Sequence, residues 1–246
     1  SEMCIRDSYD GWAAAGNPGW AWRDVLPLFK RSENHFAGTS EWHGGDGEWR
    51  VERQRLSWEI LEAFREAAEQ SGIASVDDFN GGDNEGCSYF QVNQKRGVRW
   101  NASKAFLRDI RQRPNLQVLT GAEAERLELE GGRARALHMR SQGRALRVAA
   151  RREIILCAGA IGSPVLLQRS GIGPRPLLER LGIGVRHELP GVGESLQDHL
   201  QLRLIYRVEG VKTLNRIAAT PWGKLGMGLE YLLRRSCLLY TSPSPR

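Results

Sequence analysis

An apolar run followed by a glycine turn constrains the fold of this chain more than any other feature. Residues 153–158 are Glu-Ile-Ile-Leu-Cys-Ala, an almost uninterrupted apolar segment with the length of one strand. Such a run is typical of a strand buried on both faces of a parallel sheet. Gly159 and Gly162 then predict a turn, and Ser163 with Pro164 predicts the N-cap and first position of a helix. We expect one strand–turn–helix unit of a doubly wound α/β fold, whose carboxyl edge is where nucleotide cofactors bind.

The segment before this unit has the pattern of a β-meander. Polar and apolar residues alternate over four stretches, which are 116–120, 124–129, 134–140 and 145–149. Turns that contain glycine separate the last three stretches, as in consecutive hairpins. Apolar residues at helical spacing predict three earlier helices, which cover 24–31, the segment from Ser57 as N-cap to Gly72, and about 103–112.

The composition excludes several classes of protein. The chain has 246 residues, which is long enough to bury a hydrophobic core. Its hydrophobic fraction of 41% is typical of a globular protein. No apolar run approaches the roughly 20 residues of a membrane-spanning helix, and we expect no membrane span. The net charge is +6, but the basic residues are scattered, with no run longer than a pair. Because nucleic-acid binding needs clustered positive charge, we expect no nucleic-acid partner.

The cysteines predict neither a disulfide framework nor a metal site. Of the four cysteines, Cys4 and Cys237 lie in the atypical end segments described next, which leaves Cys87 and Cys157 far apart. No CxxC motif or His and Cys cluster at metal-ligand spacing occurs. Cys157 lies in the apolar run, where we expect a buried thiol that acts as a small hydrophobic side chain.

The two ends of the chain differ from the sequence between them. Met-Cys-Ile-Arg-Asp near the start and Cys-Leu-Leu-Tyr-Thr-Ser near the end match the two reading directions of a transposon-end sequencing adapter. We therefore expect residues 1–8 and 237–246 to be adapter-derived, and residues 9–236 to be a biological segment cut from a longer gene.

The dinucleotide fingerprint GxGxxG does not occur in the sequence. The nearest segment, residues 191–196, lacks the third glycine. From these residues alone, the turn at Gly159 is as consistent with a structural role as with a cofactor contact.

Longer motifs then point to one family. Cys-Ala-Gly-Ala-Ile-Gly-Ser-Pro-Val-Leu-Leu-Gln-Arg-Ser-Gly-Ile-Gly-Pro covers residues 157–174, and Leu-Pro-Gly-Val-Gly-Glu-Ser-Leu-Gln-Asp-His covers 189–199. Shorter motifs precede them in order, at residues 16–20, 25–30, 43–47, 79–81, 85–86 and 113–118. Together they resemble the glucose-methanol-choline (GMC) flavin oxidoreductases over nearly all of residues 9–236. The resemblance is strongest to the bacterial choline-dehydrogenase-like branch.

The resemblance implies an α/β fold class. It implies an incomplete FAD/NAD(P)-binding (Rossmann-like) domain with a β-meander, plus part of an α+β substrate-binding domain. Lid and substrate-domain segments would cover 9–100, part of the FAD-binding domain 101–173, and a linker with the start of the substrate-binding domain 174–236.

The resemblance also implies main-chain contacts with the adenosine end of FAD. Ala158 and Gly159 match the strand end that lies against this part of the cofactor, and the missing Cβ of Gly159 allows close approach. Ala124 stands where the family usually has Val, whose main-chain N–H and C=O meet the adenine. Ser195 replaces the Asn usual in its motif, so no side-chain contact is assigned to it.

None of the five histidines is expected to be the catalytic base. His35, His138 and His187 lie in ordinary loop or strand contexts, and His43 belongs to a loop motif in which a structural role outweighs substrate contact. We expect His199 to make a structural hydrogen bond. The resemblance places the base, a His paired with a second His or Asn, in a C-terminal part outside this chain.

The activity implied by the resemblance is FAD-dependent oxidation of a primary alcohol, choline or another small alcohol, by proton removal and hydride transfer to the flavin. The small alcohol is the expected partner, and the electron acceptor stays open. Two alternatives remain, a hydroxynitrile lyase on the same fold and a chain that in the given form neither holds FAD nor turns over. The expected location is the cytoplasm or the membrane periphery of a bacterium.

Overall fold

The computed structural model describes residues 6–55, 57–82, 84–198 and 205–235, which form two compact units. The first unit combines residues 6–116 with 205–235, and the second contains residues 117–198. The boundary lies where the sequence changes from helical to alternating patterns. The domain boundaries expected at 100 and 173 stay predictions.

Helices and very short strand pairs build the first unit. Its elements are α1 (Arg6–Ala14), α2 (Trp22–Ser32), β1 (Glu33–His35), β2 (Trp49–Val51), α3 (Glu59–Gln70), β3 (Gln94–Lys95), β4 (Val98–Arg99), a π-helical turn (Ser103–Leu107), a 3-10 turn (Arg108–Ile110), α6 (Leu214–Ala218) and α7 (Pro221–Arg234). β1 and β2 pair in parallel, with His35 opposite Val51, and β3 and β4 form an antiparallel pair. Because α1 begins at Arg6, its first turn contains residues that the sequence predicts to be adapter-derived.

Two of the three helices expected in this unit are confirmed. α2 covers the predicted 24–31, and Gly72 follows α3 with a φ of +86°, the left-handed conformation that ends many helices. The N-cap of α3 is Trp58 rather than Ser57. The Ser57 hydroxyl instead donates to the Glu62 carboxylate at 3.1 Å, so it is not available to cap the backbone. The expected helix over 103–112 is wrong as an α-helix, since the π and 3-10 turns occupy this segment.

An antiparallel meander forms the centre of the second unit. Its strands are β5 (Ala122–Glu130), β6 (Arg133–Ser141) and β7 (Arg144–Ala149), paired in the order β5-β6-β7. The predicted meander is confirmed for its last three strands, whereas residues 116–120 form no strand. The register of β5 against β6 shifts between Ala124 and Arg126, which marks a β-bulge at Glu125.

Helices and a small parallel pair complete the second unit. They are α4 (Gly159–Arg169), β8 (Ile172–Gly173), α5 (Arg175–Arg180) and β9 (His187–Glu188), with β8 and β9 parallel. α4 packs against β5. Among residues 117–198, the buried apolar side chains are Leu127, Ala136, Leu166, Leu178 and Val192.

The expected buried strand at residues 153–158 is wrong for this structure. The segment has no strand conformation, Ile155 is 75% exposed, and Cys157 is exposed rather than buried. A strand needs backbone partners on a neighbouring strand. No strand within the described ranges pairs with this segment. Despite its apolar sequence, the segment therefore does not form a strand.

The start of α4 also differs from the prediction. The helix begins at Gly159, with Ala158 as N-cap, several residues before the expected N-cap Ser163. The Ser163 hydroxyl accepts a hydrogen bond from the Ala158 N–H at 3.0 Å. Ser163 therefore satisfies a backbone donor at the helix start from within the first turns, a local role that Ser takes readily.

Within the ranges that the structure describes, no helix is both long and apolar enough to cross a membrane.

A charged cluster spans the exposed face of the meander. Glu128 of β5 accepts hydrogen bonds from Arg147 of β7 at 2.8 and 2.7 Å, and it lies 2.9 Å from His138 Nε2 of β6. The hydrogen bonds from Arg147, and secondly the contact with His138, lower the pKa of Glu128 to about 2. The carboxylate thus links all three strands.

We predict that Glu128→Gln lowers the stability of the sheet at neutral pH but not below pH 2. Because the folded-state pKa of Glu128 is depressed, its contribution is present above about pH 4.5 and is lost as the pH falls toward 2. Urea unfolding of wild type and variant at several pH values measures this difference. Glu130→Gln, which removes a more exposed ion pair with Arg135, is the matched control. An equal effect of both variants at pH 7 would contradict the prediction.

Ser195 adopts a backbone conformation that its side chain does not favour. Its φ is +55°, in the left-handed region where Asn is enriched among residues other than glycine. We predict that Ser195→Asn raises the free energy of unfolding by about 0.5 kcal/mol. Ser141→Asn, at a residue with negative φ at the end of β6, is the control and should give no gain. Denaturant unfolding measures both, and no difference between them would contradict the backbone argument.

Candidate functional site

The three residues predicted to contact the cofactor all lie in the second unit. Ala124 lies near the start of β5, opposite Met139 of β6 and directly before the bulge at Glu125. β5 is an edge strand of the meander, and Ala124 is exposed. Bulges interrupt the regular pairing of a strand and are frequent at sheet edges and next to active sites. The main chain at Ala124 is thus placed where a ligand could reach it.

Ala158 and Gly159 form the exposed start of α4. Gly159 has a φ of +82°, and a Cβ built on it would meet no atom within 4 Å. The first N–H groups of an α-helix have no partner within the helix and favour negative charge or ligand acceptors. An open glycine at this end gives a ligand close access to the backbone.

The structure connects these residues through the elements that carry them. The C-terminal end of α4 is hydrogen-bonded to β5, since the Leu127 N–H donates to the Ser170 hydroxyl at 2.8 Å. Ala124 and Gly159 therefore belong to one packed strand–helix pair, and each lies near the N-terminal end of its own element.

A buried histidine cluster occupies the first unit. His43 Nδ1 lies 2.9 Å from the Glu33 carboxylate, and His43 Nε2 lies 2.7 Å from the Asp78 carboxylate. His43 is only 6% exposed, and both carboxylates are largely covered. This clamp, defined as Glu33, His43 and Asp78, connects β1 with the loops that contain residues 43 and 78.

His35 packs on the clamp but does not complete a metal site. His35, His43 and Asp78 offer ligand atoms that all lie within 4.8 Å of one another. The two imidazole rings, however, are stacked at 4.0 Å with an angle of 16°. An imidazole binds a metal through a lone pair in the ring plane, about 2 Å from the ion, so two nearly parallel rings cannot both reach one ion. The geometry favours a hydrogen-bonded clamp.

The carboxylate of Asp78 is held in its charged form. Burial alone would raise the pKa of Asp78, but hydrogen bonds from the Asn80 N–H and from His43 outweigh it and keep the pKa below its usual range. The interaction therefore stabilises the fold at neutral pH and is lost as the pH falls through the lowered pKa.

A cavity of about 960 Å³ lies beside the clamp in the first unit. Aromatic side chains form part of its wall, including Trp22, Trp42, Trp49, Tyr89 and Phe90. The guanidinium of Arg6 lies 3.8 Å from the ring centroid of Trp42. This is a cation–π contact, and it is made by a residue that the sequence predicts to be adapter-derived.

The sequence did not reveal this cluster. The contacts of His43 reach 10 and 35 residues along the chain, and no spacing rule connects such positions. The His-Gly-Gly-Asp-Gly loop motif was the only signal. Of the other histidines, His138 contacts Glu128, His187 is exposed, and His199 lies outside the described residues.

We predict that His43→Gln destabilises the first unit by about 2–4 kcal/mol, because it removes the imidazole that both covered carboxylates contact. Denaturant unfolding followed by tryptophan fluorescence measures the loss. His187→Gln, at an exposed histidine of the second unit, should change stability by less than about 0.5 kcal/mol. A loss for His43→Gln as small as that of the control would contradict a structural clamp.

Comparison with known proteins places these elements in a family. The family model for GMC oxidoreductases matches residues 2–201. The chain is 38% identical to an oxygen-dependent choline dehydrogenase of Paraburkholderia phytofirmans over 92% of its length. It is 40% identical to oxygen-dependent choline dehydrogenase 1 of Chromohalobacter salexigens over 91% of its length. It covers 41% and 40% of these relatives, so the chain spans about two-fifths of their length.

Solved structures agree with this placement. An FAD-dependent oxidoreductase from Chaetomium thermophilum matches with a TM-score of 0.83 and 27% identity, over 94% of this chain and 43% of that one. Pyridoxine 4-oxidase from Mesorbium loti matches with a TM-score of 0.70 and 34% identity, over 75% of this chain and 37% of that one. The predicted fold class, a partial Rossmann-like FAD-binding domain with further α+β segments, is confirmed. The chain belongs to the GMC oxidoreductase family.

Proposed function

We propose that this chain is part of an FAD-dependent oxidoreductase that oxidises a primary alcohol of the choline type to the aldehyde. The observation that carries the proposal is the 36–40% identity with oxygen-dependent choline dehydrogenases over more than nine-tenths of the chain. The substrate of those relatives suggests a small alcohol with a quaternary ammonium group. The location, cytoplasmic or at the membrane periphery of a bacterium, is part of the same proposal.

The residues of the second unit fit the adenosine end of FAD. The edge-strand bulge beside Ala124 and the open left-handed glycine at Gly159 both expose main-chain groups. They do not fit the pyrophosphate, because the sequence contains no GxGxxG turn. We therefore assign only the adenosine part of the cofactor to this chain.

Each of the three residues would act through its backbone. The N–H and C=O of Ala124 would pair with the adenine edge, and this contact tolerates Ala in place of Val. Ala158 and Gly159 would support the ribose side, where any Cβ at residue 159 would reduce the space. When bound, FAD supplies the hydride acceptor for alcohol oxidation.

Activity assays on the complete gene product test the proposal. The reading frame that contains residues 9–236 should yield a yellow protein that reduces a dye in the presence of choline or a related primary alcohol. Cleavage of a cyanohydrin without alcohol-dependent dye reduction would overturn the proposal in favour of a lyase. The 246-residue chain itself, after desalting, should retain no stoichiometric flavin absorbance.

A pair of glycine variants tests the assigned cofactor contact. In the complete gene product, Gly159→Ala should lower FAD affinity about tenfold, because it adds a Cβ and strains the backbone at the contact. Gly143→Ala is the matched control, since Gly143 has a φ of +76° and equally open surroundings in the β6–β7 turn. Flavin release measured by fluorescence compares the two. Equal FAD affinity in both variants would contradict the assignment of Gly159.

A further inference from the structure

We propose that Ser170 is a positioning residue for the adenosine site, because its hydroxyl fixes the bulged strand β5 against the helix α4. The inference rests on the proposed function, since Ala124 and Gly159 are assigned to the cofactor there. Ser170 itself lies away from both residues and acts through the two elements that carry them.

The hydroxyl of Ser170 takes part in two buried hydrogen bonds, one as acceptor and one as donor. It accepts from the Leu127 N–H at 2.8 Å and donates to the Leu166 carbonyl at 2.6 Å. Ser170 is 8% exposed and Leu127 is 6% exposed. A hydroxyl has a single proton to donate, so the bond to Leu166 sets its orientation and turns a lone pair toward Leu127. The two hydrogen bonds, to Leu166 and from Leu127, together fix the orientation of the Ser170 hydroxyl.

The strand needs this acceptor at Leu127. β5 has β6 on one side only, and Leu127 lies opposite Leu137 of β6. The N–H of Leu127 points to the other side, toward α4, where no strand of the described second unit lies. An unpaired buried N–H is costly, so Ser170 takes the place that a neighbouring strand would have.

The hydrogen bond between Leu127 and Ser170 lies close to the bulge at Glu125, and therefore close to the proposed adenine contact at Ala124. Leu127 lies between the two register shifts of β5, which fall at Ala124/Arg126 and Glu128/Leu129, so the bond anchors the short regular stretch between them. Ala124 lies about 10 Å away along the strand, and Gly159 lies about 16 Å away along the helix. This bond joins the two elements that carry the residues assigned to the cofactor, close to the bulge of β5 and at the end of α4.

The test measures binding of AMP, which carries the adenosine group without the pyrophosphate or the flavin. Wild type, Ser170→Ala, Ser170→Thr and Ser170→Cys are titrated with AMP by nuclear magnetic resonance, with Ser141→Ala as control. Ser170→Ala should weaken AMP binding about tenfold, and Ser170→Thr should restore it because it keeps the hydroxyl. Ser170→Cys, a weak acceptor, should lie between them.

Amide hydrogen exchange reports the folded state independently of AMP. The Leu127 amide should exchange at least about tenfold faster in Ser170→Ala, while amides of β7 keep their protection. This comparison separates a local loss of the anchor from general unfolding.

Two results would overturn the inference in different ways. If wild type binds AMP and Ser170→Ala binds it equally well despite a fast Leu127 amide, Ser170 is purely structural and the proposed function stands. If wild type shows no AMP binding at any concentration tested, the adenosine site assigned to this chain fails, and the role of Ser170 fails with it.

Discussion

The need of every buried backbone N–H and C=O for a partner organises the second unit. β5, β6 and β7 satisfy one another, and the outer side of β5 finds its acceptor in the hydroxyl of Ser170. Residues 153–158 have the composition of a strand but no strand of the described residues beside them, and they stay irregular with Ile155 exposed. An apolar or alternating pattern is therefore not sufficient for a strand, since a strand also needs backbone partners on a neighbouring strand.

Local patterns predicted the parts of the fold that depend on local contacts. The meander follows from alternation and glycine turns between neighbouring strands, and α2 and α3 follow from apolar residues at helical spacing. The predictions were wrong where a side chain could form more than one hydrogen bond, or where a strand needed a partner distant in sequence. Ser57 bonds to Glu62, and Ser163 bonds back to Ala158, so neither is the N-cap that its residue type indicated.

The candidate site also contains residues that the sequence predicted and residues that it did not. Family resemblance supplied Ala124, Ala158 and Gly159, and the structure adds an edge bulge and an open helix start at these positions. The Glu33–His43–Asp78 clamp could not be predicted, because three segments distant in sequence converge on one imidazole. The contact of Ser170 could not be predicted either, since it is made with the unpaired side of a strand 43 residues earlier.

The central claim is that residues 117–198 contain the adenosine-binding part of a GMC flavoenzyme. Mapping AMP-dependent protection by hydrogen exchange on the wild-type chain tests it most directly. The account predicts slower exchange in two segments, the start of β5 around Ala124 and the start of α4 around Gly159, with none in residues 6–116. Protection confined to the aromatic cavity of the first unit, or unchanged exchange in both segments at saturating AMP, would contradict it.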